Sequence, residues 1–201
     1  MRRRLRAALL LGLVGLGPAR AEEPLQRSAA ELMDVLMWNR EPVGGPFALT
    51  DQNGRLRTDA DFRGKLVILT FGYTGCPDVC PTDLMEIARA LTLLGEAGEA
   101  IQPVFVTLDP ARDTAALLAE FVPSFHPRLI GLTGSEAAVR QAAEAYKVFY
   151  RKVARPDGDD MIEHSAFVYL VDRSGAYLGF FPPGTTAERM LTIIRPHLGP
   201  R

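Results

Sequence analysis

Short apolar runs alternate with polar, periodic segments along the chain, and the alternation predicts its elements. "KLVILTFG" (65–72) is a continuous apolar run of strand length. After Pro81, "TDLMEIARALTLLGEA" keeps Leu84, Ile87, Ala88, Leu91 and Leu94 at helical spacing until Gly95 stops it. "QPVFVTL" (102–108) predicts a second buried strand, followed by a helix that starts near Asp113 or Thr114, whose side-chain oxygens can cap it. "RLIGLTG" reads as a third short strand. Ser135 then caps a helix over "EAAVRQAAEAYKVFY", and "RKVARPDGDDMIE" reads as a polar loop. Two more strands, "AFVYLVD" and "AYLGFF", are joined by Arg173-Ser174-Gly175. A last helix starts at Thr185, with Glu188 completing a capping box.

Ahead of these elements, "PFALTDQNGRLRT" reads as a β-hairpin with Asn53-Gly54 as the two left-handed positions of a tight turn. "ELMDVLMWNR" is amphipathic and predicts a lead-in helix, with linker, over 22–44; Met33, Met37 and Trp38 are read as packing residues. The main domain then covers 45–201. The order of hairpin, βαβαβα and ββα places the chain in the α/β class: a central mixed sheet flanked by helices on both faces, with an N-terminal β-hairpin, as in a thioredoxin-like fold.

The first residues stand apart from this pattern. Arg2, Arg3, Arg4 and Arg6 precede an apolar run from Ala7 to about Gly17, and Ala19-Arg20-Ala21 has the form of a signal-peptidase site, so residues 1–21 read as a signal peptide cleaved before Glu22. An uncleaved anchor facing the periplasm is the alternative, but the run supplies only about half of the ~20 residues a spanning helix needs. Removing residues 1–21 leaves 18 basic against 24 acidic residues, a formal charge of −6. Nucleic acid and anionic lipid are poor partners for such a surface. Export also implies an oxidising space, in which a nearby cysteine pair is disulfide-bonded, metal-bound or kept reduced by a dedicated partner.

Both cysteines of the chain lie in "GYTGCPDVCP" (72–81). Cys76 falls in the loop after a buried strand and Cys80 in the first turn of the next helix, where free N–H groups and the helix dipole favour thiolates. Both sulfurs are expected to ionise easily. Pro81 suits a first helical position and Pro77 restrains the loop. A purely structural disulfide over so short a loop removes only about 2 kcal/mol of unfolded-chain entropy, so a redox pair or a metal site explains the spacing better. A selective metal site needs a third ligand. Of the three histidines, His126 and His197 read as surface residues, whereas His164 precedes a strand whose start can share a rim with residues 73–80.

"FGYTGCPDVCPTDL", "VTLDPARDT" and "IEHSAFVYLVD", in that order, resemble the Sco/SenC family of copper proteins. The resemblance implies a thioredoxin-like domain in which Cys76, Cys80 and His164 bind one copper ion, Cu(I) or Cu(II). It also implies a role in cytochrome c oxidase assembly: copper delivery to, or reduction of the cysteines of, the CuA site of oxidase subunit II. On the second use Cys76 and Cys80 are the reacting pair of a thiol–disulfide oxidoreductase. Another copper chaperone or a thiol reductant is implied as a further partner, and membrane association only through a partner or an uncleaved signal. Gly75 and Glu163 depart from residues common in the family. Zinc, with Asp78 or water as a fourth ligand, is a minor alternative; Asp109 is a candidate outer partner, Met161 a transient thioether ligand, and a peroxidase the lowest-ranked reading.

Overall fold

The computed structural model describes residues 29–38, 41–154 and 160–199, so the proposed signal segment, 1–21, lies outside the described residues. Among the described residues no helix is long and apolar enough to cross a membrane. The elements run α1 (Ala29–Trp38), β1 (Ala48–Asp51), β2 (Leu56–Thr58), β3 (Leu66–Gly72), α2 (Val79–Leu94), β4 (Ile101–Thr107) and α3 (Ala115–Phe121). They continue with β5 (Ile130–Thr133), α4 (Glu136–Ala145), β6 (Tyr150–Val153), β7 (Met161–His164), β8 (Val168–Val171), β9 (Tyr177–Phe181) and α5 (Ala187–Ile194).

The sheet order is β2-β1-β5-β4-β3-β8-β9, with β3–β4 and β4–β5 parallel and the other pairs antiparallel. This is the mixed, thioredoxin-like sheet expected from the element order. Every residue of β3 is buried because helices cover both faces, which is why the strand reads as an unbroken apolar run. Val67, Leu69 and Phe71 face α1 and α4 across one core, while Leu66 and Ile68 face α2 and α5 across the other. A smaller cluster around Phe105 and Leu118 continues the second face under α3.

The structure corrects several sequence expectations. In the first hairpin only Gly54 is left-handed (φ +77°), not Asn53. The Asp51 carboxylate instead organises the turn by accepting from Asn53 N at 2.9 Å and Arg55 N at 3.0 Å. In α1 the packed residues are Leu32, Val35 and Leu36, and Met37 and Trp38 are exposed. Thr186, not Thr185, caps α5, so Glu188 closes no capping box and instead pairs with Arg89. Thr114 caps α3 and Ser135 caps α4, as expected. Asp113 has a different use: buried, its carboxylate accepts from Thr74 N at 2.9 Å, from Thr74 Oγ1 and from Thr107 Oγ1 at 2.6 Å. It thereby ties the loop after β3 to the end of β4.

The largest correction concerns 146–164. Helix α4 stops at Ala145, with Lys147 in the left-handed region (φ +60°) and Val148 N bonded to Ala143 O at 2.8 Å. The expected polar loop contains a separate two-stranded ribbon, β6–β7, in which Tyr150 pairs with His164 and Val153 with Met161. Its burial patterns bury only Ile162, too little apolar signal for the sequence to announce two strands.

Candidate metal centre

The site forms where the C-terminal end of β3 meets the start of α2. β3 carries the chain into the turn 73–76, closed by Cys76 N to Tyr73 O at 3.2 Å. Helix α2 begins with Asp78 at its N-cap and Val79, Cys80 and Pro81 in its first turn, so Pro81 holds the third helical position rather than the first. Its missing N–H still falls among those that no helical carbonyl accepts. Gly72 makes the approach of Cys80 feasible: a Cβ there would stand 2.8 Å from Cys80 Sγ and 3.0 Å from Phe105 Cε2. Cys80 is consequently buried against the sheet end, and Cys76 is half-buried above it.

His164 arrives from 84 residues further along, at the end of β7, with Nε2 3.5 Å from Cys80 Sγ. Its Nδ1 lies 3.2 Å from the Ser165 carbonyl oxygen. That oxygen can only accept, so it holds a proton on Nδ1 and turns Nε2 toward the sulfurs. Tyr73 packs edge-on against the imidazole, with ring centroids 6.3 Å apart. The Cys76 and Cys80 sulfurs and a ring nitrogen of His164 all lie within 4.8 Å of one another, and among the described residues this is the group able to hold a metal ion.

The two sulfurs are not equivalent, contrary to the expectation that both ionise easily. The Cys80 thiol donates to Cys76 and, with His164 and the backbone N–H groups of Asp78 and Cys80, pulls the Cys76 pKa down to about 3 against the effect of burial. Cys80 is pushed up, first because Cys76 holds its proton in that hydrogen bond, then by burial and by the neighbouring thiolate. The pair thus shares one proton, which a bound metal would displace. Two sulfurs and an imidazole without a carboxylate fit a soft ion at low coordination number.

Other candidates fall elsewhere. His126 lies in a loop, where its Nδ1 accepts from Arg128 N at 3.2 Å, and His197 is exposed in the turn after α5. Met161 occupies the opposite face of β7 from Ile162 and His164 by strand alternation. Asp78 is exposed, makes no side-chain cap bond and stands outside the ligand group. Asp109 is buried and faces Arg112 and Lys152. Sequence reasoning missed Asp83, one helical turn after Cys80. It is 3% exposed, accepts from Gly184 N at 2.9 Å, and burial raises its pKa. The signal was its i+3 spacing from Cys80 on a face that otherwise carries apolar residues.

A family model described as SCO1/SenC matches residues 37–199. The chain belongs to the SCO1/SenC family. Among SCO1/SenC relatives, the SCO2-like protein RP587 of Rickettsia prowazekii is 41% identical over 156 residues, 76% of each chain. The mitochondrial SCO2 homolog of Bos taurus is 37% identical over 98% of this chain and 76% of its own. Two solved structures described as having copper bound are similar to this SCO1/SenC chain. ScoI of Bradyrhizobium japonicum has 40% identity and a TM-score of 0.72, over 77% of this chain and 99% of that one. Yeast Sco1 has 35% identity and a TM-score of 0.72, over 79% and 89%.

The sulfur asymmetry has a direct readout in the reduced, metal-free protein. Thiolate absorbance near 240 nm should show one ionised sulfur per chain from neutral pH down past pH 5, lost only as pH falls toward about 3. Cys80→Ala, which removes the donor, should move that transition upward. A single wild-type transition near the ordinary thiol value of 9.0 would contradict the shared proton.

Proposed function

We propose that this protein is a periplasmic copper metallochaperone that holds one copper ion on Cys76, Cys80 and His164 and delivers it to, or matures, the CuA site of cytochrome c oxidase subunit II. The observation that carries the reading is the convergence of two sulfurs and one imidazole nitrogen within 4.8 Å. That donor set suits Cu(I), and Cu(II) also binds such ligands strongly by the Irving–Williams order. With both sulfurs ionised the three-ligand core carries −1 with Cu(I) and is neutral with Cu(II). Similarity to two proteins solved with copper bound supports copper over zinc. Low coordination leaves an open side on which an acceptor thiolate can attack, as transfer requires.

A second reading draws support from the unequal sulfurs. A half-buried thiolate at Cys76 beside a protonated, buried Cys80 is the arrangement of an attacking and a resolving cysteine. On this reading the protein is a dedicated thiol–disulfide oxidoreductase: Cys76 attacks the disulfide of the CuA-site cysteines, and Cys80 then releases the reduced product as Cys76–Cys80 becomes oxidised.

Competition with a Cu(I) chelator separates copper binding from its absence. The wild type should take up one equivalent, and Cys76→Ser, Cys80→Ser and His164→Ala should each lose more than the about 10–100-fold typical of an outer partner. Unchanged affinity in all three variants sinks the copper reading. The oxidoreductase reading predicts that reduced, metal-free protein reduces one equivalent of an oxidised CuA-domain peptide as its own pair is oxidised, an exchange that Cys76→Ser abolishes; no exchange without copper removes it. Export predicts a mature N-terminus at Glu22 in the periplasmic fraction, and a retained residue 1 in the membrane fraction would favour the anchor instead.

A further inference from the structure

The third ligand sits on a ribbon with little support of its own. Among the described residues the β6–β7 ribbon joins no other strand, and a lone two-stranded hairpin is marginal in water. Its root is held by Ser165 N to Phe149 O at 2.9 Å and Phe149 N to Ser165 Oγ at 3.0 Å. Beneath its middle, packing is incomplete: a cavity of about 160 Å³ is lined by Leu108, Asp109, Glu136, Arg140, Tyr150 and Lys152, among others. Buried Ile162 is the only fully packed side chain among the eight described strand residues of the ribbon.

A polar clasp bridges what packing leaves open. Arg112 donates through Nη2 to the Asp160 carbonyl at 2.7 Å, and through Nε to the Asp109 carboxylate. Lys152, on the ribbon, stands with Nζ 3.9 Å from Asp109 Oδ1 and 3.8 Å from Asp160 Oδ2. Asp109 is the fixed point. It is 3% exposed, its N–H is held by Thr107 Oγ1 at 2.9 Å, and its carbonyl accepts from Asp113 N at 2.8 Å. Exposed ion pairs contribute little, so Lys152, half-exposed and nearly 4 Å from either acid, is the minor member. Arg112 is the major one: it satisfies a buried carboxylate and a ribbon carbonyl at once, and removing one partner of a buried charge costs far more than removing a surface pair.

We propose that Arg112, braced on Asp109 and assisted by Lys152, is a positioning residue for the metal centre: it clasps the ribbon shut and so sets where His164 stands over the two sulfurs. The inference rests on the copper reading of the site for its consequence, but not for its geometry. Opening the clasp withdraws the imidazole and leaves the Cys76–Cys80 pair in place, because those residues are held by β3 and α2 instead.

Two readouts on the full chain test this. In metal-free, reduced protein, amide exchange at 150–153 and 161–164 should quicken about tenfold or more in Arg112→Ala and about twofold in Lys152→Ala, while β3 amides stay unchanged. Because Arg112→Ala leaves the buried Asp109 carboxylate with only the more distant Lys152, the double variant Asp109→Asn/Arg112→Gln serves as the second probe; it removes both charges and shortens the side chain that reaches the Asp160 carbonyl. With Cu(I), Arg112→Ala should weaken binding about tenfold to a hundredfold, the range for an outer partner of a ligand. The same substitution in a His164→Ala background should add no further loss, and the Cu(II) spectrum of Arg112→Ala should move toward that of His164→Ala. The proposal is overturned if ribbon exchange is unchanged in both Arg112→Ala and the double variant, or if the Arg112→Ala loss is equally large without His164. A wild type that takes up no copper would refute the copper reading, and ribbon exchange would still decide the clasp.

Discussion

A sulfur pressed against the end of a buried strand is the constraint on which the site depends. Cys80 can occupy that place because Gly72 has no side chain, and Phe105 on the neighbouring strand closes the remaining space. Once there, Cys80 keeps its proton, first because it donates it to Cys76 in a hydrogen bond and then because it is buried. One steric allowance thus fixes both the position and the charge state of the pair. A metal ion held there would take the place of the shared proton and meet both sulfurs and His164 close together.

The surrounding fold keeps this junction in register. β3 and β4 run parallel to the same rim, and the Leu108 N to Gly72 O bond of 2.7 Å continues their pairing one residue past the end of β4. Asp113 then draws Thr74 and Thr107 together with hydrogen bonds to its buried carboxylate, so the loop bearing Cys76 is anchored to the strand beside it. Asp83 accepts from Gly184, which binds the loop before α5 to the helix that carries Cys80. Three buried acids, Asp83, Asp109 and Asp113, therefore gather the loops of one sheet end around two sulfurs.

What could be read beforehand follows from how each element is buried. β3, β4 and β8 are enclosed on both sides and advertise themselves as apolar runs, and α2 shows its spacing because one face alone is buried. The cysteine spacing pointed to chemistry, and the resemblance supplied His164 as the partner. The end of α4 was misjudged because Tyr146 and Val148 are apolar and buried, which looks like more helix until Lys147 reverses the backbone. The ribbon was missed because only Ile162 among its described strand residues is buried. The roles of Asp83 and Arg112 were hidden for another reason: their partners, Gly184 and Asp160, lie 101 and 48 residues away.

The 84-residue gap between Cys80 and His164 also decides when the donor set exists. In an unfolded chain that span is a long flexible loop, and closing it has to be compensated by forming the sheet. A nascent polypeptide therefore offers stray copper two thiols and no imidazole, and the three-donor group appears only after β3, β4 and β8 have docked. Capture of the ion becomes a report that the whole domain has matured.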